Sequence, residues 1–271
     1  MPYANVNSKS IFYNLVHPVS PSRATSSSPI TLLFIHGLGS SSSFYVPLVP
    51  HLAALGYVCL AIDTHGSGSS PYTGSGNSII SIASDAASVL DVLGISENVV
   101  IVGHSMGGIA ASYLAAHDSV RRFKAVILIG PVHPNRHAAE VFRNRIGIVE
   151  KGGMEPLASS IPVTATGSAS TPLVHAFIRT LLLTTSTDGY ISLCTAIAEA
   201  PVPRYSNIKI PLLIIVGSED KSAPIDNATY IVDQYGSQIK ELRVLEGVGH
   251  WHVLEAYSRV QDMICEFLAA L

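Results

Sequence analysis

The sequence predicts an α/β architecture: a mostly parallel, doubly wound sheet of about eight strands with an inserted helical cap. Three observations predict it. Short aliphatic and β-branched runs, too short for helices, alternate along the chain with segments of helical apolar spacing. Several of these runs end in loops rich in glycine or polar residues, where ligands bind in open parallel sheets. Between residues 131 and 206 the alternation stops, and only short helical stretches broken by Gly and Pro remain, the mark of an insertion. The expected division is a first core part over 1–130, a helical cap over 131–206 and a second core part over 207–271.

Bulk properties fit one such domain of 271 residues. A net charge of -3 and 13% charged residues leave no basic stripe, which argues against nucleic acid or an anionic membrane as partner. No apolar run approaches the length of a membrane span, and Met1 to Ser10 is polar, so a soluble cytoplasmic protein without a secretory signal is expected. Cys59, Cys194 and Cys265 are widely spaced in apolar surroundings and read as buried free thiols.

Taken in order, Ser10–His17 alternates like an edge strand, and 18–29, rich in Ser and Pro, reads as an exposed loop. Thr31–Ile35 is a buried strand leading into His36-Gly37-Leu38-Gly39 and an apolar-periodic segment from Phe44 to Leu55. Val58–Ile62 is the next strand; Asp63 follows it in a tight polar loop and is expected to brace that loop. Ile79–Leu93 has apolar residues at helical spacing and stops at Gly94. The run from Val99 to Val102 reads as a central strand, and an Ala-rich helical pattern follows to His117. Ala125–Ile129, Leu212–Val216 and Glu241–Leu245 are further strands, with helices over Asp226–Tyr235 and from His252 to the end.

The central strand and helix are joined by Gly103-His104-Ser105-Met106-Gly107, a G-x-S-x-G elbow whose small flanking residues let a strained turn present the serine hydroxyl. Serine needs a base, and histidine serves near neutral pH. His250 is the candidate base and Asp220 the candidate acid that orients it, with His252 and Glu219 as their nearest alternatives. Backbone N–H groups of Leu38 and Met106 are the candidate oxyanion donors. Gly37, His104 and Trp251 are candidate substrate contacts, with packing the commoner role for Trp251. His133 and His137 stand four apart, but Pro134 interrupts and no third ligand is evident, so no metal is expected.

These motifs, from His36-Gly37-Leu38-Gly39 and Asp63–Ser69 through the elbow to Gly217–Asp220 and Gly249-His250, resemble the α/β-hydrolase superfamily over almost the whole chain. The order Ser105, Asp220, His250 is the order of its triad. Within the superfamily the chain is most similar to 3-oxoadipate enol-lactonase-like hydrolases, through Gly152–Ala158, Arg179–Leu183 and Asp188–Ala196 in the cap. It departs from them where Ser159-Ser160-Ile161-Pro162 stands in place of their cap tryptophan, so an apolar lactone or ester stands beside an anionic one. The resemblance implies a cofactor-free serine hydrolase acting on a small lactone or carboxylic ester through an acyl-enzyme on Ser105. A lactone receptor with slow turnover and a biosynthetic acyltransferase or cyclase are the alternatives on the same triad. Arg136, Arg143, Arg145 and Arg179 are cap arginines with surface charge as their ordinary role.

Overall fold

The computed structural model describes residues 2–18 and 29–271; the loop expected over 18–29 lies, apart from its ends, outside the described residues. Eight strands form one sheet in the order β1-β2-β4-β3-β5-β6-β7-β8. β1 (Tyr3–Val6) pairs antiparallel with β2 (Lys9–Val16), and β2 antiparallel with β4 (Val58–Ile62). β3 (Thr31–Ile35), β4, β5 (Val99–His104), β6 (Phe123–Ile129), β7 (Leu212–Gly217) and β8 (Lys240–Leu245) are parallel.

The five inner parallel strands are buried on both faces except at Lys124, which explains why each reads as a continuous apolar run. β8 is the edge on the parallel side, and Lys240, Glu241 and Arg243 keep it from pairing further. β1 is the strand that the sequence did not mark. It has only four residues, and its turn is Asn7-Ser8, both at positive φ, where glycine would be the usual sign of a hairpin. The hairpin is anchored by Lys9 Nζ, which reaches Asp85 Oδ2 at 2.7 Å with both side chains buried, and by Asn7 Nδ2 donating to Asp85 Oδ1.

The segment Phe44–Leu55 is not one helix. A 3-10 turn at Ser42–Tyr45 is followed by α1 (Val49–Ala54), because Pro47 has no N–H to continue the first turn while Pro50 is tolerated at the start of the second. α2 (Ile79–Val92) is capped reciprocally by Ser78 and Ser81, and it packs on α3 (Met106–Ala116). α3 is buried along most of its length, and its Gly and Ala residues let it lie close to β5 and β6.

Four helices lie between β6 and β7: α4 (Arg136–Gly152), α5 (Glu155–Thr164), α6 (Pro172–Thr184) and α7 (Thr187–Ala198). α4 packs on α7 and α5 on α6. The chain returns through β7, α8 (Ile225–Gln234) and β8 to α9 (His252–Ala269), which leaves helical geometry at Ala256. Cys59 and Cys194 are buried, which pushes both thiols up to about 12, whereas Cys265 is only half-buried, because its stretch of α9 is flanked by solvent-facing Asp262 and Glu266. Among the described residues no helix is long and apolar enough to cross a membrane.

Candidate active site

Ser105 sits between β5 and α3 with φ 52° and ψ −116°, a conformation in the left-handed half that non-glycine residues seldom adopt. Its neighbours permit the turn. A Cβ at Gly103 would strike the Gly107 carbonyl, and one at Gly107 would strike the Ile35 carbonyl, so the elbow closes only with glycine at both places. Ser105 thus stands just past the carboxyl end of β5, and Met106 after it is the first residue of α3, where helix N–H groups lack intrahelical partners.

Ser105 Oγ stands 2.9 Å from His250 Nε2, and His250 Nδ1 stands 2.8 Å from Asp220 Oδ2. A carboxylate only accepts hydrogen bonds, so Nδ1 carries the proton and Nε2 is free to accept from the serine. The other Asp220 oxygen accepts the N–H groups of Ser222 and Ala223 at 2.8 and 2.9 Å. Burial opposes ionisation of Asp220, but the facing His250 and its hydrogen bond, with His252 and the Ala223 N–H, outweigh it and bring the carboxyl down to about 2.

Two further histidines frame His250. His104 Nε2 and His252 Nδ1 both donate to the His250 carbonyl, at 2.9 and 2.8 Å, which fixes its backbone from two directions. Burial keeps both rings neutral: it holds His104 well below its usual value and His252 at about 4. His252 Nε2 lies 3.7 Å from Asp220, beyond hydrogen-bond reach, while His250 Nδ1 takes that place. His104 stacks on Phe44 behind Ser105 and does not line the cavity.

Leu38 lines the cavity beside Ser105 on the loop after β3. That loop is held by His36, whose Nδ1 donates to the Gly37 carbonyl at 2.7 Å and whose Nε2 accepts the Thr64 N–H. A Cβ on Gly37 would lie 2.9 Å from the Cβ of Ser105, so the backbone entering Leu38 runs directly against the serine. Asp63 accepts the N–H groups of Ser42 and Ser69 and so braces the neighbouring loop. Glu219 points away from His250, to Ser168.

The cavity above Ser105 has a volume of about 230 Å³. Phe142, Ile161, Leu182 and Trp251 give it apolar walls, and Arg145 and Lys221 are its two cations. Neither Lys221 nor its neighbour Ser222 stands out in the sequence; their place one and two residues after Asp220 was the available signal. Arg145 lies with its guanidinium 5.1 Å from the Phe142 ring centroid, and among the described residues no carboxylate is within ion-pair distance of it. His133 packs its ring at a tilt against Tyr230, and among the described residues no group of three potential ligands could hold a metal ion.

An eight-stranded, mostly parallel sheet with the serine on a strained elbow and four helices inserted after β6 defines an α/β hydrolase, a hydrolytic enzyme. Within that superfamily the chain belongs to the serine aminopeptidase S33 family, whose model matches residues 27–256. It is similar to 3-oxoadipate enol-lactonase 2 of Acinetobacter baylyi, 27% identical over 86% of this chain and 87% of that one. The 2-hydroxy-6-oxononadienedioate/2-hydroxy-6-oxononatrienedioate hydrolase of Paraburkholderia xenovorans is 26% identical over 88% of this chain and 86% of its own. The solved structure of the enol-lactonase from Burkholderia xenovorans superposes with a TM-score of 0.86 at 26% identity, covering 99% of this chain and 100% of that one.

Proposed function

We propose that the protein is a serine hydrolase that opens a compact lactone or cleaves a small carboxylic ester through an acyl-enzyme on Ser105. The observation that carries this reading is the unbroken hydrogen-bonded line from Ser105 through His250 to Asp220, opening into a closed-in cavity. Ser105 Oγ attacks the carbonyl carbon while His250 Nε2 takes its proton, and Asp220 stabilises the imidazolium. The oxyanion lies between the N–H groups of Leu38 and Met106. On collapse His250 gives the proton to the departing alkoxide, which in a lactone stays tethered to the acyl chain as a hydroxyl. Water then surrenders a proton to His250 and attacks the acyl-enzyme, and His250 returns that proton to Ser105 Oγ as the carboxylic acid departs, a hydroxy acid where the substrate is a lactone.

The four-helix insertion acts as a cap over 131–206 that limits the substrate to the size of the cavity. No Asp or Glu lines that cavity among the described residues, while Arg145 and Lys221 do. This charge pattern disfavours the free ammonium group of a peptide N-terminus and favours neutral or anionic substrates, Arg145 being the group for a substrate carboxylate. Similarity to enol-lactonases points the same way.

The test is a panel of p-nitrophenyl esters and five- to seven-membered lactones, with and without a carboxylate, followed by pH-stat beside Ser105→Ala. Many turnovers per site that vanish with Ser105→Ala are expected. A single burst ending in a stable adduct would sink the hydrolase reading in favour of transfer or reception.

A further inference from the structure

The turn between α5 and α6 is hydrogen-bonded into the loop that carries His250. The His250 N–H donates to the Ala165 carbonyl at 2.8 Å, and the Ala169 N–H donates to the Gly247 carbonyl at 2.8 Å. Ser168 gives its N–H and its hydroxyl to the two oxygens of Glu219, at 2.8 and 2.6 Å, next to Asp220 in the chain. The backbones touch: a Cβ on Gly167 would lie 2.5 Å from the Gly247 carbonyl oxygen, and one on Gly249 would lie 2.5 Å from the Gly167 nitrogen.

At the centre of this contact is Glu255, half-buried in the first turn of α9, just before the helix departs from helical geometry at Ala256. One carboxylate oxygen accepts the N–H of Gly167 at 2.7 Å and of Gly249 at 3.0 Å; the other accepts the N–H of Trp251 at 2.9 Å. Glu255 thus grips the residues on either side of His250 and, with the same group, the cap. Charge-assisted bonds of this kind are about twice as strong as neutral ones.

We propose that Glu255 is a positioning residue for His250, and that by sharing its carboxylate with Gly167 it makes the α5–α6 turn part of the catalytic base's support, so that the cap governs the chemical step as well as substrate choice. The inference rests on the reading of His250 as the base. Glutamine in place of Glu255 keeps the size of the side chain but sets an N–H₂ group against at least one backbone N–H. A base displaced by a fraction of an ångström loses its line to Ser105 Oγ, and a misplacement of about 1 Å costs on the order of a hundredfold in rate.

The experiment compares wild type, Glu255→Gln, Gly167→Ala and Ser105→Ala in steady-state hydrolysis of p-nitrophenyl acetate and in the rate at which a fluorophosphonate labels Ser105, with the thermal midpoint of each. Labelling needs the serine and its base but not the natural substrate. Expected for Glu255→Gln is a fall of roughly 10- to 100-fold in kcat and in labelling rate with KM within about twofold, measured well below its melting temperature. Gly167→Ala, which forces the cap turn off the base loop, is expected to slow labelling in the same way. Equal labelling of wild type and both variants would overturn the positioning role, and so would a loss confined to KM or to the thermal midpoint. Failure of wild type to label at all, or labelling that persists in Ser105→Ala, would instead overturn the reading of the site.

Discussion

Among single residues, Ser105, His250 and Asp220 are supplied by the loops after three separate strands, with His250 hydrogen-bonded to both of the others. Ser105→Ala should abolish turnover to within roughly a thousandfold of the uncatalysed rate, the remainder that oxyanion donors and binding alone provide; steady-state assays check this, and near-wild-type rates would exclude the serine route. Arg145, the group proposed above for a substrate carboxylate, lines the cavity without an acidic partner among the described residues. Arg145→Gln should raise KM for a carboxylate-bearing lactone by roughly tenfold or more, the worth of a hydrogen bond to a charged group, and leave a neutral ester of the same size unchanged. Equal effects on both substrates would assign Arg145 to packing. Ser105, Asp220 and His250 stand out in the sequence because each sits in a local pattern, an elbow or a turn after an apolar run, and the fold brings them within hydrogen-bond reach of one another. Arg145 was one of four cap arginines with nothing local to separate it from Arg136, Arg143 and Arg179, since only the path of α4 over the sheet brings it to the cavity.

At the scale of elements, the elbow depends on how closely α3 descends on β3. Gly107→Ala would set a methyl against the Ile35 carbonyl, so either the helix or the loop carrying Leu38 must move. Overpacking of this kind costs about 1–3 kcal/mol, and the shift of Leu38 and Met106, the proposed oxyanion donors, should cost activity as well; urea denaturation beside kcat/KM measures both, and wild-type values in each would refute the packing argument. The inner parallel strands were readable because burial on both faces demands apolar residues without interruption. β1 was not, because a four-residue edge strand needs only Ala4 and Val6 to face inward and its Asn7-Ser8 turn lacks glycine. The break between the 3-10 turn and α1 was written in Pro47, but the apolar spacing from Phe44 to Leu55 continues across it and masks the stop.

For the molecule as a whole, the buried histidines set how stability depends on pH. His36, His104 and His252 are held neutral by burial, and His252 lies at about 4 against an ordinary 6.5. The unfolded chain therefore binds more protons than the folded one between those values. Stability is full above about pH 6.5 and declines as pH falls toward 4, with His252 alone accounting for on the order of 3 kcal/mol. Asp220 acts with the same sign but lower: its depressed value contributes stability above the ordinary 3.8 that is lost only as pH falls through about 2. Thermal midpoints at pH 7.5, 6 and 5 should therefore drop step by step, and His252→Gln should flatten the slope; a midpoint unchanged from 7.5 to 5 would contradict the burial of these rings. The carboxylate of Glu255 has a consequence of another kind. Because it accepts hydrogen bonds from the amides of the α5–α6 turn and of both flanks of His250, one carboxylate ties the opening of the two segments together. The Gly167, Gly249 and Trp251 amides should then exchange with deuterium at one common rate, and cap and sheet should melt in a single cooperative transition.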